Sequence, residues 1–335
     1  MFDKLMNSYY FGKSGKGDYT PEDLPKTRWA LFVEMLRVRL SGLCRLNLMY
    51  ALVWLPTLLV ILWATFSCLE LMSFADDALA GTTTVVEIAE GESSEVTYIS
   101  MADAQSGINT LVLWTLLLLI PCIAITGPAT AGVCYVTRNW ARDEHAFVWS
   151  DFKDAVKENW KQSLVISLIT SLVPIVVYMS WRFYGSLALT QPLMTVPQVL
   201  VLMIGVVWCL AVTYMHPLIV SYRLRLRDVL RNGLLLAIAR LPMSVGIRLL
   251  HCVPVVLMAA VTLLTGSYAV LVLAPLVWYV LIGFALSRFI TASYTNAVFD
   301  RFINSRIEGA QVGRGLAVSD DDDDDDEDDE DDTDV

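Results

Sequence analysis

Six apolar runs of about 20 residues each are the feature that most restricts how this chain can fold. A helix of about 20 apolar residues rises about 30 Å, which is the thickness of the hydrocarbon core of a bilayer. Because lipid offers no partner to backbone polar groups, such runs cross a membrane as helices. The sequence therefore predicts an all-α, polytopic membrane protein. The predicted spans are 47–68, 109–137, 162–181, 197–221, 249–265 and 269–290.

The composition agrees with this class of protein. Hydrophobic residues make up 56% of the 335 positions and charged residues 18%, and the mean hydropathy is +0.54. Soluble domains contain about 45–50% apolar and about 25% charged residues. The six cysteines are scattered singly, without a Cys-x-x-Cys motif. A disulfide framework or a zinc site is therefore not expected.

The net charge of −11 is distributed unevenly along the chain. Residues 320–334 contain 14 acidic residues and no basic one, and without them the chain has 24 basic against 21 acidic residues. The segments at 138–161 and 222–248 are rich in Lys and Arg, whereas the segment at 69–108 contains neither. Because basic loops face the cytoplasm, we expect six spans with both termini in the cytoplasm.

These features divide the chain into three parts. Residues 1–46 form a cytoplasmic segment, in which the amphipathic stretch at 27–45 predicts a helix on the inner membrane surface. Residues 47–304 form the six-helix membrane domain, with an outer insert at 69–108 whose middle alternates like a β-hairpin. The acidic residues of 305–335 repel one another and cannot bury a core, which predicts a disordered cytoplasmic tail.

An amphipathic stretch at 150–164 leads from the first inner loop into the third span. Ser150 is the predicted N-cap, and Asp151 adds a favourable negative charge to the first turn. Aromatic and basic residues concentrate here and in the second inner loop, where they can bind phosphate-rich lipid headgroups or a partner protein with an acidic groove. The candidate docking surface consists of Phe152, Lys157, Trp160, Arg223, Arg227 and Arg231.

Proline occurs in every predicted span. It removes a helical hydrogen bond and bends the helix, and bent helices can open a cavity for a substrate. The candidate residues for such a path are Gly127, Pro128 and Pro217. The alternative is a purely structural role, because proline is more frequent in membrane helices than in soluble ones.

Ionisable groups are scarce in the predicted spans. They contain no Asp, Glu or Lys, and Arg288 lies at the inner end of the last one. Ion-coupled transporters usually place an ionisable group at depth, so the candidates are His216 and His251, with an interfacial hydrogen-bonded histidine as the alternative. Backbone carbonyls of a broken helix could also hold an ion. Enzyme motifs such as His-Glu-x-x-His and Gly-x-Ser-x-Gly do not occur, so we expect no enzymatic activity, metal or cofactor.

Several short motifs occur in an order that resembles the YesL family of bacterial integral membrane proteins. They are Tyr10-Phe11-Gly12-Lys13, Leu46-Asn47-Leu48, Gly127-Pro128-Ala129-Thr130-Ala131, Phe152-Lys153, Pro217-Leu218-Ile219, Arg227-Asp228-Val229-Leu230-Arg231-Asn232, Leu241-Pro242 and Asn296-Ala297-Val298-Phe299-Asp300. The family has no known function, and its members often lie beside carbohydrate ABC importers. The resemblance therefore implies a bacterial cytoplasmic membrane protein that assists sugar uptake, and it implies no catalytic or binding residues.

The leading hypothesis is a non-catalytic accessory or scaffold protein of a carbohydrate ABC importer. Its expected partners are the lipid bilayer and the permease or ATPase subunits of the importer, with a second copy of the chain as a further option and no nucleic acid. The alternative hypothesis is a small autonomous permease with a path between the proline-kinked helices.

Overall fold

The computed structural model describes residues 24–79, 101–266 and 268–317, and every regular element in these ranges is helical. Six helical stretches are long and apolar enough to cross a membrane, at 28–71, 105–140, 150–188, 192–221, 241–265 and 272–306. The predicted all-α class with six spans is confirmed at this level, whereas the orientation of the termini stays a prediction. The helices are α1 (Arg28–Leu79), α2 (Met101–Trp140), α3 (Ser150–Ala188), α4 (Thr195–Ser221), α5 (Leu226–Ala239), α6 (Leu241–Thr265), α7 (Tyr268–Trp278) and α8 (Phe284–Phe302). Shorter 3₁₀ turns lie at Pro192–Met194 and Asn304–Arg306, and a π-helical turn lies at Tyr279–Gly283.

The first helix differs from its prediction. The stretch at 27–45 does not form a separate surface helix, because α1 continues without a break for 52 residues. In this stretch Leu31, Met35 and Leu43 are buried in the protein core, whereas Trp29 and Leu40 are exposed. At Gly42, a Cβ would lie 3.0 Å from the ring of Trp140, so the glycine lets α2 pack closely against α1.

Helices α2 and α3 pack closely against each other. A Cβ at Gly127 would lie 2.4 Å from the backbone oxygen of Ser163, and a Cβ at Gly132 would lie 2.6 Å from the ring of Phe152. The predicted Ser150 N-cap is wrong, because the helix starts at Ser150 with no side-chain cap. Asp151 instead accepts a hydrogen bond from the backbone N–H of Phe147 at 2.9 Å.

Two apolar clusters share α8. The first cluster joins α1 and α2 to Phe289 of α8, and the second joins α4 and α5 to Val298 and Phe299 of α8. By contrast, most apolar side chains of α6 are exposed, and Leu263 and Leu264 are each 86% exposed. Helix α8 is therefore the central helix of the bundle, and α6 lies at its periphery.

The two ends of the described chain meet at one end of the bundle. Arg28 of α1 forms an ion pair of 2.5 Å with Asp300 of α8, and Asp300 also accepts a hydrogen bond from the backbone N–H of Gly313 at 3.2 Å. Arg314 pairs with Glu144 in the loop between α2 and α3. The structure thus places 305–317, the first part of the predicted tail, against the membrane domain. Residues 318–335 lie outside the described residues.

The predicted outer hairpin also falls largely outside the described residues. Helix α1 extends to Leu79 and α2 begins at Met101, so the two ends of the insert at 69–108 are helical. The alternating stretch at 83–99 is not described. The hairpin therefore stays a prediction.

We expect Gly127→Ala to destabilise the protein although alanine is normally the better helix former. Alanine gains about 0.5–1 kcal/mol over glycine in a helix, but here its Cβ would collide with the backbone of α3. The melting temperature in detergent should fall by several degrees. Gly246→Ala is the matched control, because a Cβ at Gly246 meets nothing within 4 Å. An equal melting temperature for the two variants would contradict the close α2–α3 contact.

Candidate functional site

One cavity brings together basic side chains from three helices. Its volume is about 410 Å³, and α1, α2, α3, α4, α6 and α8 contribute to its walls. The basic residues that line it are His216 of α4, Arg248 of α6 and Arg288 of α8. Among the described residues that line the cavity there is no Asp or Glu. The hydroxyl residues that line it are Thr126, Thr130, Ser167 and Thr170.

A chain of hydrogen-bonded hydroxyls lies next to Arg288. The hydroxyl of Tyr50 lies near the guanidinium of Arg288 and 2.6 Å from the hydroxyl of Thr130. Thr130 donates its hydrogen to the backbone oxygen of Thr126 at 2.8 Å, so Tyr50 is the donor to Thr130. The chain ends on a neutral backbone oxygen. It therefore places neutral groups beside the guanidinium.

The π-helical turn at Tyr279–Gly283 determines which face of α8 carries Arg288. A π turn contains one extra residue, which rotates the following helix by about 100° and leaves backbone groups without their usual partners. The buried side chain of Asn47 supplies those partners. Its amide N–H groups donate to the backbone oxygens of Tyr279 at 2.9 Å and Val280 at 2.7 Å. Its oxygen accepts from the backbone N–H of Ala285 at 2.8 Å.

Arg248 reaches the same cavity from the peripheral helix α6. Its guanidinium donates to the backbone oxygen of Cys209 in α4 at 2.5 Å. Its Nε atom is buried and has no hydrogen-bond partner among the described residues. The positive charge of Arg288 repels that of Arg248. Two guanidinium groups on separate helices therefore act on one cavity.

His216 is the third basic residue that lines the cavity. Its side chain is only 3% exposed, and its Nε2 atom lies 3.4 Å from the hydroxyl of Ser167. Its Nδ1 atom has no hydrogen-bond partner in the described part of the chain. His251, the other candidate histidine, does not line the cavity. Its Nε2 atom lies 3.1 Å from the backbone oxygen of Ser287, so it helps to join α6 to α8.

Among its described lining residues, the cavity has two arginines and no carboxylate. Within the described ranges, the ion pairs are Arg28–Asp300 and Arg314–Glu144, and none of these four residues lines the cavity. Removing a guanidinium from water costs several kcal/mol unless a counter-charge compensates it. Arginines in membrane segments therefore pair with other groups or face a polar cavity, and they mark ligand or ion pathways. An anion inside this cavity would supply the counter-charge that both arginines lack.

The candidate docking residues lie outside the cavity. The ring of Phe152 is half-buried against α2 at Gly132. The other docking residues are exposed, namely Lys157, Trp160, Arg223, Arg227 and Arg231. The side chain of Gln162 donates to the backbone oxygen of Leu224 at 2.9 Å. This contact brings α3 beside the turn that precedes α5, so the two parts of the docking surface are neighbours.

The path candidates are adjacent to the cavity but do not line it. Gly127 and Pro128 lie between Thr126 and Thr130, both of which line the wall. Pro217 follows His216 directly in α4. The proline that does line the cavity is Pro174 of α3.

The sequence did not predict that Arg248 and Arg288 line one cavity. The basic segment at 222–248 predicted an inner loop for Arg248, and the end of the last span predicted a membrane boundary for Arg288. A usable signal was Leu241-Pro242, because proline is favoured in the first turn of a helix and α6 does begin at Leu241. That start places Arg248 well inside the sixth helix. No sequence pattern predicted the π turn that orients Arg288.

Burial changes the pKa of two side chains in the loops next to the membrane segments. Burial raises the pKa of Tyr222 to about 12, so its hydroxyl stays protonated and donates to the side-chain oxygen of Asn304 at 2.7 Å. Burial also raises the pKa of Asp143, and the charge of Arg39 opposes this change. Among the described residues, no group of three or more His, Cys, Asp or Glu side chains could hold a metal ion.

Comparison with known proteins gives a partial match. Residues 107–181, which cover most of α2 and α3, match the family described as "Protein of unknown function, DUF624". Over 142 residues, the chain is 28% identical to the "Uncharacterized protein YesV" of Bacillus subtilis (strain 168), covering 42% of this chain and 67% of that protein. No solved structure matches the chain. These matches support a relationship to DUF624 proteins and do not single out the YesL group.

We expect Asn47→Ala to destabilise the protein by about 2–4 kcal/mol, because it leaves several buried backbone groups without a partner. Thermal unfolding of the purified protein in detergent measures the change. Asn159→Ala is the control, because the Asn159 side chain donates to the backbone oxygen of Ala155 in its own helix. The control should cost less than about 1 kcal/mol. An unchanged melting temperature for Asn47→Ala would contradict its role at the π turn.

Proposed function

We propose that this protein is a multi-pass membrane protein that binds a small anion between its helices and carries it across the bilayer. The observation that supports this proposal is the pair of guanidinium groups, Arg248 and Arg288, that line one cavity without a carboxylate among its described lining residues. This proposal is a form of the permease hypothesis in which the arginines, and not the prolines, form the binding site.

A purely structural role explains the two arginines less well. An arginine near the end of a membrane helix normally extends its side chain toward water and the lipid headgroups. Arg288 instead lies near the hydroxyl of Tyr50, and Arg248 donates to the backbone oxygen of Cys209. Both neighbours are neutral. Each arginine thus carries the desolvation cost of a charge, and a bound anion would offset that cost.

We place the protein in the bacterial cytoplasmic membrane with both termini in the cytoplasm, on the basis of the basic inner loops. The two ends of the described chain lie together at one end of the bundle, which agrees with this orientation. The likeness to the YesL group rests on the sequence motifs and belongs to the same proposal.

Anion uptake into proteoliposomes tests the transport function. The wild-type protein should take up at least one of [³²P]phosphate, [¹⁴C]acetate and [¹⁴C]octanoate faster than protein-free vesicles do. The double variant Arg248→Gln/Arg288→Gln should fall to the protein-free rate. Arg182→Gln is the matched control, because Arg182 does not line the cavity, and it should keep the wild-type rate. Uptake that is unchanged in the double variant, or absent for all three anions, would overturn the transport function.

The second candidate function is the accessory role in a carbohydrate ABC importer. Exposure of the docking residues favours it, since Trp160 is 46% exposed and Lys157, Arg227 and Arg231 are exposed beside it. Exposed aromatic and arginine side chains are common at the centre of protein interfaces. The same surface also suits the headgroups of anionic lipids, so an experiment must separate the two.

Crosslinking in native membranes separates these readings. If the accessory role holds, the wild-type protein recovers permease or ATPase subunits of an importer, and Trp160→Ala/Arg227→Glu loses them. Arg182→Glu is the control and should recover the same subunits as the wild type. Recovery of lipids and of the protein itself alone would contradict the accessory role and leave the anion permease as the better hypothesis.

A further inference from the structure

The cavity changes from polar to apolar along the bundle. Helices α3 and α4 run antiparallel, and three contacts fix their register. Ser167 contacts His216 at the polar end, and the indole N–H of Trp208 donates to the hydroxyl of Thr170 at 3.2 Å in the middle. At the other end, the site of a Cβ on Gly205 lies 2.8 Å from the side chain of Val177. The cavity therefore has two chemically distinct ends at known heights.

His216 and the hydroxyl of Ser167 lie at the polar end, and Arg288 is near enough to His216 to act on it electrostatically. Arg248 lies at the level of Cys209, next to Trp208 in the middle of the cavity. The wall at the other end is built from aliphatic side chains and a proline, namely Val173, Pro174, Val177, Leu202 and Val206.

The dimensions restrict the ligand. Ten residues of α3 separate Ser167 from Val177, and at about 1.5 Å per residue they span about 15 Å. The volume of about 410 Å³ holds about 14 groups of the size of a water molecule, at about 30 Å³ each. The apolar end is partly open, since Leu202 is 43% and Val206 46% exposed.

We propose that the ligand is an amphipathic organic anion, with one carboxylate or similar headgroup and an apolar body of up to about a dozen carbon atoms. This inference rests on the proposed anion-binding function and adds the chemical class of the ligand. The headgroup lies between Arg248 and Arg288, whose planar guanidinium groups match a carboxylate. The body lies along Val173, Val177 and Val206.

The apolar end of the cavity disfavours binding of hydrophilic anions. A sugar phosphate or a hydroxylated dicarboxylate would place hydroxyl or charged groups against aliphatic walls, where they find no hydrogen-bond partner. Inorganic phosphate would leave the apolar end empty or filled with poorly bonded water. An alkyl or aryl carboxylate satisfies both ends of the cavity at once.

Competition binding with a series of carboxylates tests this inference. The probe is [¹⁴C]octanoate bound to the purified full-length protein in nanodiscs, with the signal of Arg248→Gln/Arg288→Gln subtracted as non-specific. Acetate, butyrate, hexanoate and octanoate are the competitors. Each added methylene should tighten binding about two- to fourfold, because its burial is worth about 0.8 kcal/mol at most. Octanol should compete at least tenfold more weakly than octanoate.

Two variants at the apolar end separate this inference from general partitioning into lipid. Val206→Phe should leave the affinity for butyrate within twofold of the wild type and weaken octanoate at least tenfold, because the ring occupies the space of the alkyl chain. Leu202→Phe is a second variant of the same kind, for use if Val206→Phe does not fold. Nanodiscs of identical lipid composition ensure that partitioning into lipid is equal for all proteins.

The outcomes are distinct. A steep dependence on chain length that both Phe variants abolish supports an amphipathic anion. If phosphate and acetate compete as well as octanoate does, the inference on ligand class is overturned and the anion-binding function stands. If neither octanoate nor [³²P]phosphate binds more to the wild type than to the double arginine variant, both proposals fail.

Discussion

The two guanidinium groups that face one cavity impose a strong electrostatic constraint on this bundle. A positive charge inside a membrane protein needs polar partners, and here those partners are hydroxyls and backbone oxygens. The hydroxyl of Tyr50 lies near Arg288, and the carbonyl of Cys209 accepts a hydrogen bond from Arg248. Both groups are neutral. The cavity, its polar end and the packing of α4, α6 and α8 around it are arranged about this pair of arginines.

Much of the architecture could be predicted because hydrophobicity is a local property of the chain. The six spans at 28–71, 105–140, 150–188, 192–221, 241–265 and 272–306 contain or overlap the six predicted ones. Helix ends were predicted less well, since loops of moderate polarity continue the helices. The amphipathic stretch at 27–45 shows the reason. Its apolar face fits a lipid surface and a protein core equally well, and only tertiary packing decides between them.

The candidate site was harder to predict because it depends on contacts between distant segments. Asn47 and Ala285 are hydrogen-bonded across most of the chain, and Arg288 faces the cavity only because a π turn precedes it. A single sequence carries no signal of such pairings. The prolines were predicted to form a substrate path, yet Pro128 and Pro217 do not line the cavity. The side chains that define the chemistry are two arginines that resemble ordinary boundary residues.

Because α6 and α8 are packed differently, Arg248 and Arg288 lie on helices that are held in the bundle by different numbers of contacts. Helix α8 belongs to both apolar clusters, is tied to α1 by Asn47 before Arg288, and is tied to α1 again by the Arg28–Asp300 pair after it. Helix α6 is largely exposed, and Arg248 is bonded to α4 through one carbonyl. Displacing Arg288 would disturb the whole bundle, whereas displacing Arg248 breaks one charged hydrogen bond, worth about 1.5–3 kcal/mol. Arg288 thus lies on a helix that is packed on several sides and Arg248 on a peripheral one, which is an asymmetry that a binding site needs if it is also to release its ligand.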